Sequence, residues 1–325
     1  MKDFAGWFPI RIYRSTSGLT VDWAHLGNLR FTDPFFGQTV GQCLRHPAHL
    51  LFRHQTPMSA LGELQKLSAG LAPAGFIFHM SRCGSTLLSQ MLAALPEHVV
   101  ISEAGPIDDL LRAPLHDPGL APDQQVLWLR WLLSALGQRR SEQETRLFIK
   151  FDSWHTLFLP LIQRAFPEVP WIFLYRDPVE VLVSHAKQMG SQMIPGALEP
   201  ALFGWDAQAL SQMPWQEYGA RVLARICDAA LAQARAGRGR LVHYRQLPRV
   251  VAPALMKYWS LDCAPEAVRK MNSACQFHAK NPVLPFTDDT QTKAQATTDE
   301  IRQIARQWLE PVYRQLQAQR LAQPE

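Results

Sequence analysis

The sequence has little cysteine, no long apolar run, no block of one charge sign and no internal repeat. Cys43, Cys83, Cys227, Cys263 and Cys275 are odd in number and stand far apart, so neither the paired spacing of a zinc site nor a disulfide framework is written here. No bound metal is expected, and the thiols fit a reducing cytoplasm. The longest apolar stretches, such as residues 157–162, are interrupted by Pro, Gln and Arg far short of the ~20 residues that span a bilayer. The opening Met-Lys-Asp-Phe-Ala-Gly-Trp-Phe-Pro has no apolar segment of secretory length, so export is not expected. Lys and Arg number 33 against 28 Asp and Glu, a net charge of +5. That excess is spread along the chain without basic runs, which argues against nucleic acid and for a small anionic ligand.

What is present is enough apolar material for one large core. With 325 residues and 47% hydrophobic side chains, one catalytic domain with an appendage is expected. Residues 1–70, rich in aromatics, Gly and Pro with little sustained period, read as an N-terminal cap or irregular subdomain. Residues 71–325 read as an α/β domain, because short apolar runs alternate with longer amphipathic segments, the pattern of a mainly parallel sheet flanked by helices in three layers. Strands are predicted at residues 76–79, 99–102, 147–151, 171–175 and 241–244. Helices are predicted at 86–95, 124–136, 156–166, 179–189, 215–235 and 299–316, with Asp177-Pro178 as N-cap and first-turn proline. Residues 190–214 lack a clean period and read as a lid or substrate wall.

Two segments carry the chemistry. The apolar run from Phe76 leads directly into Ser81-Arg82-Cys83-Gly84-Ser85-Thr86-Leu87-Leu88, a strand, a tight turn and a helix start. That geometry binds anions: Gly84 allows close backbone approach, the first helical N–H groups point outward, Ser85 and Thr86 add hydroxyls, and Arg82 adds a charged fork. An ATP-binding Walker A loop needs Lys after its last Gly. Here Gly84 is followed by Ser85, and His79 stands five positions before it. A helix N-terminus and Arg82 would favour a Cys83 thiolate, but the Arg that a phosphatase places after its cysteine is missing, so Cys83 reads as a small loop residue. In the second segment Arg176 ends a strand, and Ser184 follows eight residues later, two turns into the next helix. This spacing puts both on roughly one side, able to hold a second phosphate. Arg176 pairing with Asp177 or Glu180, with Ser184 as a packing residue, is the structural alternative.

The first segment resembles the 5′-phosphosulfate loop of sulfotransferases that use 3′-phosphoadenosine 5′-phosphosulfate (PAPS), with Ser81 in place of the common Pro and Cys83 in place of the common Ser. The second is similar to the family's 3′-phosphate motif, an Arg and a Ser eight residues apart at a Val-rich helix start. The resemblance extends over residues 75–250. It implies a phosphate-loop-like fold, PAPS as sulfuryl donor, and transfer to a hydroxyl or amine of a small-molecule, carbohydrate or peptide acceptor. It also implies donor binding by Ser81, Arg82, Cys83, Gly84, Ser85, Thr86, Arg176 and Ser184, with Tyr244 near the adenine.

Sulfuryl transfer needs a base for the acceptor proton and cations for the charge that develops. Glu103, 21 residues after Arg82 behind the second predicted strand, is the leading base, and a Glu there resembles the base of tyrosylprotein-type relatives. The cytosolic class uses Lys-x-His, whereas this chain reads Lys150-Phe151-Asp152. His155 and Asp152 stand as further candidates. Lys150 and Arg82 are expected to stabilise the transition state. The Arg-Lys-Gly loop of the cytosolic class is absent, and Lys280 and Lys293, flanking Phe286, are its possible substitutes. A Mg-ATP phosphotransferase, or a nucleotide-binding module without turnover, stays open as an alternative.

Overall fold

A computed structural model describes residues 4–16, 18–51, 54–285 and 295–323. The centre is a five-stranded sheet built from β4 (Pro73–His79), β5 (His98–Ser102), β6 (Arg146–Lys150), β7 (Trp171–Tyr175) and β8 (Arg240–His243). The order is β5-β6-β4-β7-β8 and every pairing is parallel. All five residues of β5 and of β7 are buried, as expected of strands covered on both faces. Phe78 stacks on Phe151 at 4.6 Å, with Phe76 edge-on to the same ring, so the β4–β6 junction is rigid beneath the loop that follows. The chain leaves β4 toward one edge of the sheet, and β7 returns on β4's other side. The C-terminal end of β4 is therefore the crevice where open α/β sheets hold ligands.

Each predicted strand is present with its ends within a few residues of expectation. Of the helices, Trp215–Arg235 has the predicted bounds, and Pro178–Lys187 starts on Asp177, whose carboxylate accepts the Val179 and Glu180 N–H groups. The segment at 156–166 differs. It opens as a 3₁₀ turn, Ser153–Phe158, and becomes α-helical only over Leu159–Ala165, because Pro160 removes a backbone donor and favours the first turn of a new helix. The C-terminal helix is likewise split, with a π turn at Ala305–Leu309 and an α-helix Glu310–Leu321 restarting around Pro311.

The described residues up to position 70, expected to be irregular, carry regular elements. β1 (Trp7–Ser15), β2 (Gly18–His25) and β3 (His54–Pro57) form an antiparallel sheet, accompanied by helices Phe36–Leu44, Pro47–Leu51 and Ser59–Leu67. The burial pattern explains why periodicity was hard to read. β2 buries four consecutive residues, Val21–Ala24, so it does not alternate. Phe8, Trp23 and Leu61 belong to the same core as the central sheet. The Ile12 N–H donates to Asp109, and Gln138 donates to the Trp7 carbonyl. Residues 190–214 carry short turns, Ser191–Met193 and Pro200–Phe203, and one short helix, Ala207–Ser211. A two-stranded hairpin, β9 (Phe277–His278) and β10 (Asn281–Pro285), follows helix Pro265–Ala274. No helix among the described residues is long and apolar enough to cross a membrane.

Candidate active site

The loop after β4 is wound tightly. Ser81 has φ +80°, Arg82 +51° and Gly84 +87°. Two non-glycine residues in the left-handed region cost of order 1–3 kcal/mol each, a strain that clusters where a backbone is shaped for a ligand. Gly84 is the N-cap of helix Ser85–Ala93, and a Cβ there would stand 2.9 Å from Leu247 and Tyr244 side-chain atoms. Only glycine satisfies both the conformation and the space. The result is a tight cradle that opens onto a helix N-terminus, the kind of geometry whose free N–H groups suit an anion.

This cradle forms the floor of a cavity of about 500 Å³. Ser81, Arg82, Cys83, Gly84, Ser85, Thr86, Glu103, Arg176, Ser184 and Tyr244 all line it, so the residues singled out along the sequence converge. Lys150 is not on the wall itself. Its side chain is fully buried, and its Nζ lies 2.6 Å from Glu103 Oε1 and donates to Thr86 Oγ1 at 3.2 Å. β5 and β6 run in register from His98–Arg146 to Ser102–Lys150, which brings Glu103 beside Lys150 at the sheet edge. Glu103 turns sharply there, at φ +53°, its N–H donating to the Lys150 carbonyl.

Burial alone would raise the Glu103 carboxyl, but Lys150 and then His79 outweigh it and hold the carboxylate well below its usual range. His79 Nε2 lies 3.4 Å from Glu103 Oε1. His79 Nδ1 accepts the Ser81 N–H, which puts the proton of the neutral ring on Nε2, facing Glu103. Burial lowers the pKa of that ring. Cys83 is a buried thiol that donates to the Leu174 carbonyl, and burial pushes its pKa up to about 12. No thiolate nucleophile forms there at neutral pH, in keeping with its reading as a small loop residue.

At the other end, the Arg176 Nε donates to Glu180 Oε2 at 2.7 Å and an Nη contacts the same oxygen, the pairing weighed above as the structural alternative. It does not withdraw Arg176 from the cavity. The guanidinium lies 3.8 Å from the centre of the Tyr244 ring, whose edge closes over Gly84. Tyr244 thus packs against the phosphate loop and Arg176, and Glu180 fixes the orientation of the arginine. Arg82 reaches across to Gln188, donating to its side-chain oxygen and its carbonyl.

Of the other candidates, Asp152 lines the cavity and His155 does not. His155 is fully buried, with Nδ1 accepting the Asp152 N–H and Nε2 donating to Asp108. Trp154 is in the wall, its indole N–H held by Asp108. Met193 and Phe203, within the 190–214 segment read as a substrate wall, are buried in the core. Sequence reasoning missed Phe35, Gln188 and Gln192, which also line the cavity. Phe35 comes from the N-terminal segment, and its ring lies 4.9 Å from Lys150 Nζ. No local motif marks it, because only tertiary packing brings it to β6. Lys293 and Phe286 lie outside the described residues.

Burial, and next the neighbouring Glu103 and Asp108, raise the Asp152 carboxyl well above its usual range. The folded chain therefore binds this proton more tightly than the unfolded chain does. The stability it confers is complete below the ordinary Asp pKa near 4 and is lost as pH rises through the folded value. Asp152→Asn should escape that loss. Between pH 4 and pH 8 its melting temperature should gain on the wild type by roughly 2–4 °C for each kcal/mol relieved. Parallel melting curves across that range would show that Asp152 carries no such strain.

These features define an α/β protein with a parallel central sheet whose crevice gathers cationic and hydroxyl side chains at two ends. Residues 73–249, more than half of the chain, match the Sulfotransferase family, and the chain belongs to that family. No curated protein matches it. Among solved structures it is similar to the sulfotransferase domain of the Synechococcus PCC 7002 olefin synthase, at 18% identity over 74% of this chain and 95% of that one, TM-score 0.39. A sulfotransferase from Alicyclobacillus acidocaldarius aligns at 12% identity over 78% and 97%, TM-score 0.45. Mouse sulfotransferase SULT7A1 complexed with PAP aligns at 11% identity over 80% and 90%, TM-score 0.39.

Proposed function

We propose that the protein is a PAPS-dependent sulfotransferase acting on a hydroxyl or amine acceptor, and that it works in the cytoplasm. The observation that carries this reading is the convergence of the Ser81–Thr86 cradle, the Arg176 and Ser184 end, and the Glu103–Lys150 pair on one cavity. The residues fit a nucleotide with phosphates at both ends. The cradle that excludes a Cβ at Gly84 takes the 5′-phosphosulfate, while Arg176, braced by Glu180 and Tyr244, takes the 3′-phosphate with Ser184. When bound, PAPS supplies an activated sulfuryl group. Glu103 accepts the acceptor's proton. Its carboxylate shares Lys150 with Thr86, so it becomes a stronger base as the ammonium is drawn toward negative charge developing at the loop. Arg82 adds its fork to the same region.

Calorimetric titration with 3′-phosphoadenosine 5′-phosphate (PAP), ADP and ATP, each with and without Mg²⁺, tests the donor class. The expected result is metal-independent binding with PAP preferred over ADP by at least about tenfold, the value of one charge-assisted contact. Mg²⁺-dependent binding of ATP in preference to PAP would favour a phosphotransferase. PAP binding without transfer to any acceptor would favour a module that lacks turnover.

A further inference from the structure

The cations around the cavity differ in what they already hold. Arg82 donates to Gln188, Arg176 to Glu180, and Lys150 to Glu103 and Thr86. Lys187 is exposed at the end of its helix. Lys280 is different. It sits on the turn between β9 and β10, lines the cavity and is partly buried, yet no hydrogen bond or ion pair to it occurs among the described residues. Its ammonium lies 5.8 Å from the centre of the Phe35 ring, the ring that Lys150 Nζ approaches to 4.9 Å.

Two ammonium groups against one ring, with Arg82 beside them, repel one another, and the Glu103 carboxylate, 2.6 Å from Lys150, offsets this only in part. Burial, and then Arg82 and Lys150, push the Lys280 amine down to about 8. Such an arrangement is stabilised when negative charge enters among the three cations. The groups that feel Lys280 also fix where that charge sits. They are Arg82, Lys150, Glu103 and Cys83, and the charge of Lys280 is also felt by His79 and His185. This is the end of the cavity where the phosphate loop meets Glu103, away from the Arg176–Glu180 pair.

Resting on the PAPS reading above, we propose that Lys280 is a third cation of the transfer point, contacting the sulfuryl oxygens. In the step it assists, the acceptor oxygen or nitrogen forms a bond to sulfur while the bond from sulfur to the 5′-phosphate oxygen breaks. The electron pair stays with that oxygen, PAP departs, and the acceptor's proton passes to Glu103. Lys280 neutralises charge on the sulfuryl oxygens from the cavity wall it shares with Phe35, and it exchanges no proton.

The test separates the sulfuryl group from the phosphates by titrating wild type, Lys280→Met and Lys280→Arg with PAP and with PAPS, in the absence of acceptor. Lys280→Met should bind PAP within about twofold of wild type and PAPS about tenfold more weakly, the loss of one charge-assisted contact. Lys280→Arg should recover most of the PAPS affinity. Equal losses for PAP and PAPS would mean that Lys280 holds a phosphate instead, and unchanged affinities would mean that it holds neither; either result overturns the proposal. A wild type that fails to bind PAP at all would instead sink the donor assignment, and it would do so before any variant is made.

Discussion

Arg176→Ala should weaken PAP binding about 100-fold while leaving ADP within about threefold of wild type. Arg176 is only 4% exposed, so its contact with a phosphate is made in a medium where a bidentate, charge-assisted pair contributes about 2–3 kcal/mol, and each 1.4 kcal/mol is tenfold. It is already oriented by the Glu180 carboxylate and the Tyr244 ring, which removes most of the entropy cost of ordering a long side chain. ADP has no 3′-phosphate, so it should be largely indifferent to the change. Arg176→Lys should restore little, because a point charge cannot pair with Glu180 and a phosphate through one planar fork. Titration of both variants with both nucleotides decides the matter. A loss of equal size for PAP and ADP would place Arg176 as a structural support for Glu180 and Tyr244, and the assignment of the 3′-phosphate end would fail.

The central sheet was legible in the sequence because each of its strands is buried on both faces and therefore reads as an unbroken apolar run. Trp171–Tyr175 is the clearest case. The phosphate loop was legible because its chemistry is local: the strand, the glycine and the hydroxyls are contiguous, and Asp177-Pro178 punctuates the second motif in the same way. The Glu103–Lys150 contact was not legible as a contact. The two residues are 47 positions apart and meet only because β5 and β6 pair in register. Phe35 was invisible for a related reason, since nothing in its neighbourhood signals a site and only tertiary packing brings its ring to Lys150. The N-terminal three-stranded sheet escaped notice because β2 buries consecutive side chains while β3 is only four residues long. Lys280 stood out only as a possible substitute for the missing Arg-Lys-Gly loop. Its partial burial against Phe35 arises from the β9–β10 turn folding over the cavity, a long-range event that no spacing rule records.

Glu103→Gln should leave PAP binding within about threefold and lower turnover by about 10²–10⁴, the range attributed to a positioned general base. Gln keeps the size of the side chain and one acceptor for Lys150, but it cannot take a proton. The pH dependence distinguishes this carboxylate from its neighbour. Lys150 and His79 hold Glu103 ionised to well below the usual carboxylate range despite its burial, so a reaction that depends on it should keep its rate down to about pH 4, near the ordinary Glu value. Asp152 is shifted in the opposite direction, and a reaction dependent on it would lose rate as pH falls through values well above 4. The profile of kcat therefore identifies the base: a plateau reaching down to about pH 4 assigns Glu103, and a decline beginning well above it assigns Asp152. Should the plateau hold while Glu103→Gln turns over at the wild-type rate, neither carboxylate takes the proton. Glu103 would then serve to hold Lys150 in place beneath Thr86.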